Sequence, residues 1–242
     1  MPMTLVVNEI YLSLQGESSF AGLPCVFVRL TACNLRCSYC DTAYAFTQGS
    51  KRTLEDILAE VRRLAEPYRN LPGPLPLVEL TGGEPLLQKN ALPLMTALCD
   101  QGFSVLLETS GAHDIAAVDA RVHRIMDLKC PSSGEADRNR WENVPLLTAR
   151  DEIKFVVGSR EDYEWAREQI ARHNLAQRCA LLMSWVHPLA EAQRDPSLKP
   201  VPAGHTPISR LELAERITAD ALPVRFQVQL HKVLWPPDQR GV

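Results

Sequence analysis

Residues 77–109 read LVELTGGEPLLQKNALPLMTALCDQGFSVLLET, and the hydrophobic period changes twice along them. LVEL (77–80) is a short apolar run of β type, QKNALPLMTALCDQG (88–102) repeats apolar residues at three and four, and SVLLET (104–109) is again of β type. A strand, a helix and a second strand in that span make one βαβ unit, whose two strands run parallel because the helix carries the chain back to the starting edge. The same alternation extends in both directions. CVFVRL (25–30), VHRIMDL (122–128), EIKFVV (152–157), CALLMS (179–184) and VRFQVQL (224–230) are β-type runs. TLEDILAEVRRLAEPY (53–68), REDYEWAREQIARHN (160–174) and SRLELAERITAD (209–220) have helical periodicity. About six units fit, which predicts an α/β fold on a parallel sheet, short of a full eight-fold barrel. Thr53, Glu55 and Asp56 place acceptors at the exposed N–H groups of the first helix, and the strand after it is expected to follow a Pro/Gly turn at 72–76.

Two stretches break the alternation. Residues 131–149 are polar and turn-rich, and 185–208 hold five prolines and two histidines, His187 and His205, which read as loop residues. A connection of that length is mobile or functional, and 185–208 is expected to be a loop insertion in a single domain spanning 1–242.

With 242 residues, 45% hydrophobic and 23% charged, the chain can bury a sizeable core, and its net charge of -3 argues against a broad surface for nucleic acid or anionic lipid. A small-molecule substrate is therefore expected. No run approaches the ~20 apolar residues of a membrane helix, and MPMTLVVNEIYLSLQGE lacks the basic start and apolar centre of a signal peptide, so the expected location is cytoplasmic. Three of the seven cysteines fall within eight residues, which suits metal or catalytic use better than disulfides. Cys25, Cys99, Cys130 and Cys179 sit in apolar contexts and read as core.

Cys33-Asn34-Leu35-Arg36-Cys37-Ser38-Tyr39-Cys40 puts three thiolates in one loop directly after a β-type run, and soft thiolates select iron-sulfur, zinc or copper(I). A closed structural zinc site wants four ligands, whereas three on a 4Fe-4S cubane leave one iron open. A zinc knuckle completed by a distant histidine is the alternative. Thr81-Gly82-Gly83-Glu84-Pro85 follows the strand VEL, where glycines let backbone approach a ligand; a plain tight turn is the other reading. Glu108-Thr109-Ser110-Gly111 ends the next strand. Three consecutive β-type runs thus end in cysteine- or glycine-bearing motifs on what should be one edge.

The CxxxCxxC spacing with Tyr39 before the last cysteine, together with TGGEP and ETSG, resembles the radical S-adenosylmethionine superfamily. That resemblance implies a partial (β/α)6-type barrel, a 4Fe-4S cluster on Cys33, Cys37 and Cys40, and S-adenosylmethionine contacts from Tyr39, Thr81, Gly82, Gly83, Glu84, Glu108 and Ser110. Ser110 stands where the family more often has Asn. Asn8-Glu9-Ile10, Leu14-Gln15-Gly16-Glu17, Arg29, Asp41-Thr42, FVV after Lys154, Gln229-Leu230-His231-Lys232 and the final HKVLWPPDQRGV resemble the 7-carboxy-7-deazaguanine synthase family over nearly the whole chain. What this implies is a lyase of 7-deazapurine (queuosine) biosynthesis. It would contract 6-carboxy-5,6,7,8-tetrahydropterin to 7-carboxy-7-deazaguanine with loss of ammonia, using magnesium at Thr42 and S-adenosylmethionine catalytically. Leu14, Gln15, Gly16, Glu17, Arg29, Gln229, His231 and Lys232 would bind the pterin, with Arg29 and Lys232 balancing charge. A homodimer and a reducing donor such as flavodoxin or ferredoxin also belong to the implied picture. Two departures stand out: Ser18 replaces the usual Gly after QGE, and ten residues follow Lys232, so the contact made by a C-terminal carboxylate in short members is expected to be absent.

Two rival readings remain at this level. A radical activase acting on a partner protein would share the cluster loop and GGEP without QGE and QxHK, and a zinc-binding interaction module would be colourless. Anaerobically purified protein is therefore expected to be brown, and Cys33→Ala, Cys37→Ala or Cys40→Ala to abolish S-adenosylmethionine cleavage while Cys99→Ala and Cys179→Ala keep it. Equal iron content and equal cleavage in the two sets would refute the ligand assignment.

Overall fold

β1 (Thr4–Leu14) and β2 (Pro24–Leu30) form an antiparallel pair, and β3 (Ser50–Thr53) lines the other side of β1. The computed structural model describes residues 2–70 and 76–242, so the Pro/Gly turn expected at 72–76 lies, apart from Pro76, outside the described residues. After α1 (Leu54–Ala65) come β4 (Leu77–Gly82), α2 (Ala91–Asp100), β5 (Val105–Thr109), β6 (His123–Asp127), β7 (Glu152–Val157), α3 (Arg160–Arg172), β8 (Ala180–Trp185), α4 (Arg210–Ala219), β9 (Arg225–Gln227) and α5 (His231–Leu234). One nine-stranded sheet runs in the order β3-β1-β2-β4-β5-β6-β7-β8-β9, with every pairing from β2 to β9 parallel. The seven parallel strands are the seven β-type runs of the sequence. The Thr53 hydroxyl accepts from the Asp56 amide (3.1 Å), and Asp56 returns the bond to the Thr53 amide, a capping box that starts α1.

Strand alternation sorts the two faces. Val26, Val28, Leu30, Val78, Leu80, Val105, Leu107, Ile153, Phe155, Val157, Leu181 and Met183 belong to the main core, which also takes in the buried faces of the helices. The alternate positions start with a small apolar cluster of Cys25, Phe27, Leu77, Leu106, Ile125 and Leu182, and two residues further along the same face come Arg29, Glu79, Glu108, Asp127 and Ser184. Polar side chains on the inner face make the space above that cluster a site rather than a second core. Cys130 and Cys179 lie in the main core, Cys99 packs against it and Cys25 sits in the small cluster, as their contexts suggested.

Three expectations need correction. Only four crossovers are α-helical, not about six: among the described residues β5 to β6 has no α-helix, and β6 to β7 is made of 3-10 turns at Pro131–Ser133, Ala136–Arg138 and Trp141–Leu146. No strand was read before CVFVRL, whereas Asn8 to Leu14, which precede that run, lie inside one; only two of its eleven residues are fully buried, so alternation is weak there. The last strand stops at Gln227, and Gln229 to Lys232 lead into α5, because the Leu230 amide donates to the Gly16 carbonyl (2.9 Å) instead of continuing a ladder.

The segment after β1 reaches across to the β9 edge of the sheet. Besides the Leu230 to Gly16 bond, the Ser18 amide donates to Gln227 Oε1 (3.1 Å) and Gln227 Nε2 donates to the Ser18 carbonyl (2.6 Å). Close approach also governs the turn after β4, where the Gly83 amide donates to the Leu30 carbonyl (3.2 Å) and the Glu84 amide to the Ala32 carbonyl (2.8 Å). A Cβ on Gly83 would collide with that Ala32 carbonyl. Gly83→Ala is thus expected to cost roughly 1–3 kcal/mol and to lower both the thermal midpoint, by several degrees, and the iron content. Thermal unfolding and iron analysis of anaerobically purified variant check this; wild-type values for both would count against the close approach.

Candidate active site

The loop carrying Cys33, Cys37 and Cys40 leaves the carboxyl end of β2 and is held from several sides. On one side stand the backbone bonds from Gly83 and Glu84 and the Ala32 amide donating to Ala45 (2.9 Å). Opposite, the Ser38 amide donates to the Ser133 carbonyl (3.0 Å), Ser38 Oγ to the Ser132 carbonyl (2.7 Å) and the Arg36 amide to Glu135 Oε1 (2.7 Å). The Lys199 amide completes the frame by donating to the Arg36 carbonyl (2.9 Å), so both stretches that broke the strand-helix alternation support this loop. All three cysteines are unpaired and line one cavity of about 510 Å³. Burial pushes their thiols up, Cys40 to about 12, while Lys129 pulls the other way at Cys33 and Cys37. The Leu35 amide donates to Cys33 Sγ (3.4 Å), a bond that iron-sulfur sites use to tune their sulfurs. A cubane takes each thiolate on a separate iron and does not need the tight grouping a single ion requires; among the described residues no such grouping of His, Cys, Asp or Glu occurs.

Every site residue named from the sequence lines this cavity except Glu84. Glu84 is fully buried, and its carboxylate accepts from Thr109 Oγ1 (3.0 Å), the Ser110 amide (2.7 Å), Ser110 Oγ and the Leu86 amide (3.0 Å). Four donors hold it beneath the surface of the cavity. It locks the TGGEP turn to the TSG turn of β5, leaving Gly82, Gly83 and Ser110 to face the cavity. Tyr39 borders both this cavity and a smaller one of about 360 Å³ under residues 186–207; its hydroxyl is buried and without a partner. His187 lines the main cavity, while His205 Nδ1 lies 2.9 Å from Ser159 Oγ.

The floor is a charged layer. Lys154 Nζ lies 3.1 Å from Glu108 Oε1, 3.6 Å from Asp127 Oδ1 and 3.7 Å from Glu17 Oε2, and Lys129 pairs with Asp127. Burial alone would lower the Lys154 pKa, but these three carboxylates drive it well up. Gln15 Nε2 donates to Glu79, whose pKa burial pushes well up with help from the Glu108 charge. Gln15 Oε1 in turn accepts from the Glu17 amide (2.5 Å), and Glu17 Oε1 accepts from Ser184 Oγ (3.1 Å). Sequence reasoning missed Glu79, Asp127 and Lys129 as site residues. The available signal was a lone carboxylate in an otherwise apolar stretch, Glu79 in LVEL and Asp127 in IMDL.

At the mouth, Arg29 Nε donates to Glu9 Oε1 (2.7 Å) and Nη2 to the Tyr11 hydroxyl (2.7 Å). Lys232 pairs with Asp41, which also accepts from Thr42 Oγ1 (2.7 Å) and Gln229 Nε2 (3.2 Å). Burial would raise the Asp41 pKa, yet Lys232 and these donors hold it far below the usual range. Burial pulls His231 down, leaving a neutral imidazole. It sits so near Gly16 that a Cβ there would lie 2.7 Å from Nδ1. Residues 237–242, which the sequence left without a role, also line the cavity.

Residues 28–175 match the Radical SAM superfamily. The chain is 45% identical to a 7-carboxy-7-deazaguanine synthase of Koribacter versatilis over 98% of its own length and 99% of the relative's. It is 44% identical to another of that name from Chlorobaculum tepidum, over 98% and 97%. The crystal structure of QueE from Escherichia coli shares the fold at a TM-score of 0.69 and 24% identity, covering 95% of each chain. By these full-length matches, and with the cysteine loop, TGGEP and QGE gathered in one cavity, the chain belongs to the 7-carboxy-7-deazaguanine synthase family of the radical S-adenosylmethionine superfamily.

Proposed function

We infer that this chain is a lyase converting 6-carboxy-5,6,7,8-tetrahydropterin to 7-carboxy-7-deazaguanine with loss of ammonia. The observation that carries the reading is that the cluster cysteines and the family's QGE and QxHK elements, more than two hundred residues apart at their extremes, line a single cavity. When bound there, the 4Fe-4S cluster and S-adenosylmethionine supply a one-electron cleavage that starts carbon-radical chemistry. Cys33, Cys37 and Cys40 hold the cluster. Gly82, Gly83 and Ser110, with Tyr39, Thr81 and Glu108 around them, offer backbone and hydroxyl groups to S-adenosylmethionine. Glu84 sets their position from below.

On the pterin side, Glu17 presents acceptor oxygens to N–H edges, and Gln15 fixes it through its amide. Neutral His231 offers a ring nitrogen beside Gly16, and Leu14 and Gln229 complete that wall. The Thr42 hydroxyl is the protein ligand for magnesium, steadied by Asp41, which Lys232 keeps ionised. Such a layered pocket orients the substrate while the ring rearranges. Residues 185–208 act as one wall of a single domain. A small reducing protein such as flavodoxin or ferredoxin as electron donor, a homodimer and a cytoplasmic location complete the proposal. Among the described residues, no helix is long and apolar enough to cross a membrane.

Arg29→Ala and Lys232→Ala are expected to retain the cluster spectrum and uncoupled S-adenosylmethionine cleavage. Pterin turnover at limiting substrate should fall ~100-fold or more, since each change strands a partly buried carboxylate at the mouth. Anaerobic conversion of the carboxypterin, followed beside 5′-deoxyadenosine release, decides it. Wild-type conversion in both variants would remove this wall from the site, and no conversion by the cluster-replete wild type would refute the function.

A further inference from the structure

Lys154 stands between the two halves of the site. Its ammonium lies 3.1 Å from Glu108 Oε1, within hydrogen-bond range, but 3.6 Å from Asp127 Oδ1 and 3.7 Å from Glu17 Oε2, just beyond it. All four residues line the cavity. Lys154 itself is buried, and its one ammonium serves three carboxylates with a single close bond.

Two arms of this cluster end on elements that meet different ligands. Glu108 Oε2 accepts from Thr81 Oγ1 (3.3 Å) in the glycine turn, on the S-adenosylmethionine side. Glu17 Oε1 accepts from Ser184 Oγ (3.1 Å), and the Glu17 amide donates to Gln15 Oε1 (2.5 Å), on the pterin side. Asp127 has its own pair with Lys129. A cation shared at unequal distances has several positions open to it. A ligand that settles Glu108 narrows those positions, and so does one that settles Glu17. Whichever binds second meets an ammonium already in place and gives up less conformational freedom.

We propose that Lys154 is a positioning residue that couples the two ligands, so that S-adenosylmethionine and the carboxypterin each tighten the binding of the other through the Glu108–Lys154–Glu17 bridge. The inference rests on the carboxypterin reading above and deepens it. Such coupling favours the state with both ligands present, in which the radical forms beside its substrate.

The test uses cluster-loaded protein, anaerobic and with magnesium but without reductant, where both ligands bind and neither reacts. Titration calorimetry gives the dissociation constant of S-adenosylmethionine with and without saturating carboxypterin, and that of the carboxypterin with and without saturating S-adenosylmethionine. In the wild type each ligand is expected to tighten the other about tenfold, and the two factors must agree because binding linkage is reciprocal. Lys154→Met and Glu17→Gln should each reduce the factor to about twofold or less, and the double variant should lose no more than either single change. Glu17→Gln removes one carboxylate and leaves Lys154 beside Glu108 and Asp127, so it carries the test alone if Lys154→Met does not fold. A merely structural Lys154 would weaken both ligands and leave the factor unchanged. A wild type without mutual tightening, a wild-type factor kept in Glu17→Gln, or additive losses would overturn the inference while the wild type still turns over. A cluster-replete wild type that does not convert the carboxypterin once reductant is supplied would overturn the functional reading, and this inference with it.

Discussion

Lys154 is the pivot of the interior. A single ammonium group, almost withdrawn from water, faces Glu108, Asp127 and Glu17, which come from two parallel strands and the segment after β1. Three carboxylates around one low-dielectric space repel each other and lose hydration, so they need a cation at their centre to stay ionised. That cation also ties three parts of the chain together: β5 and β6 through Glu108 and Asp127, and the QGE segment through Glu17. Glu79, close by and bonded to Gln15, has its pKa pushed well up by burial and by the Glu108 charge. The charge pattern that would be costly in an ordinary core is tolerable here because each member has a partner.

From that layer upward, each level of the site borrows its position from the one below. The inner-face alternation of β4 and β5 brings Thr81 and Ser110 above Glu79 and Glu108, and Glu84 locks the two turns together from behind. The turn after β4 then presses on the cluster loop through backbone bonds short enough to exclude a side chain at Gly83. On the far side of that loop, Ser132, Ser133 and Glu135 hold Ser38 and Arg36, and Ser132 is itself fixed by Asp162 at the start of α3 (2.7 Å from its amide). Support of this kind restricts the cysteines without using their sulfur atoms.

The parallel strands and the cavity were legible because they write themselves locally: period two in EIKFVV, period three to four in α1 to α4, and three thiols in eight residues. The parts that were not legible depend on distant partners. Residues 131–149 read as polar and turn-rich, yet Asn139 and Asn143 are buried because the Lys129 backbone and the Gly111 and His113 carbonyls take up their amides. Gln229 to Lys232 looked like the end of a strand, since periodicity cannot reveal that Gly16 and Asp41 will claim their donors. The bonds of Glu84 to the Ser110 amide and hydroxyl, 26 residues away, likewise depend on two turns meeting and leave no local signal. Arg29 and Lys232 carried the family pattern, but nothing in the pattern showed that Glu9 and Asp41 already answer their charge.

The bonds between residues 16–18 and 227–230 join positions separated by more than two hundred residues, and they tie the β9 edge of the sheet to the connection between β1 and β2. Loop closure over that span costs the most chain entropy of any contact described, and nothing rewards it until the intervening strands are in register. The order of assembly follows. Strands β2 to β8, with the cysteine loop and the glycine turn, can be built from neighbouring units, whereas the pterin wall of Gln15, Glu17 and His231 exists only after the chain's two ends have met. In a folding chain, the capacity to hold a reactive cluster therefore precedes the capacity to recognise what that cluster is meant to act on.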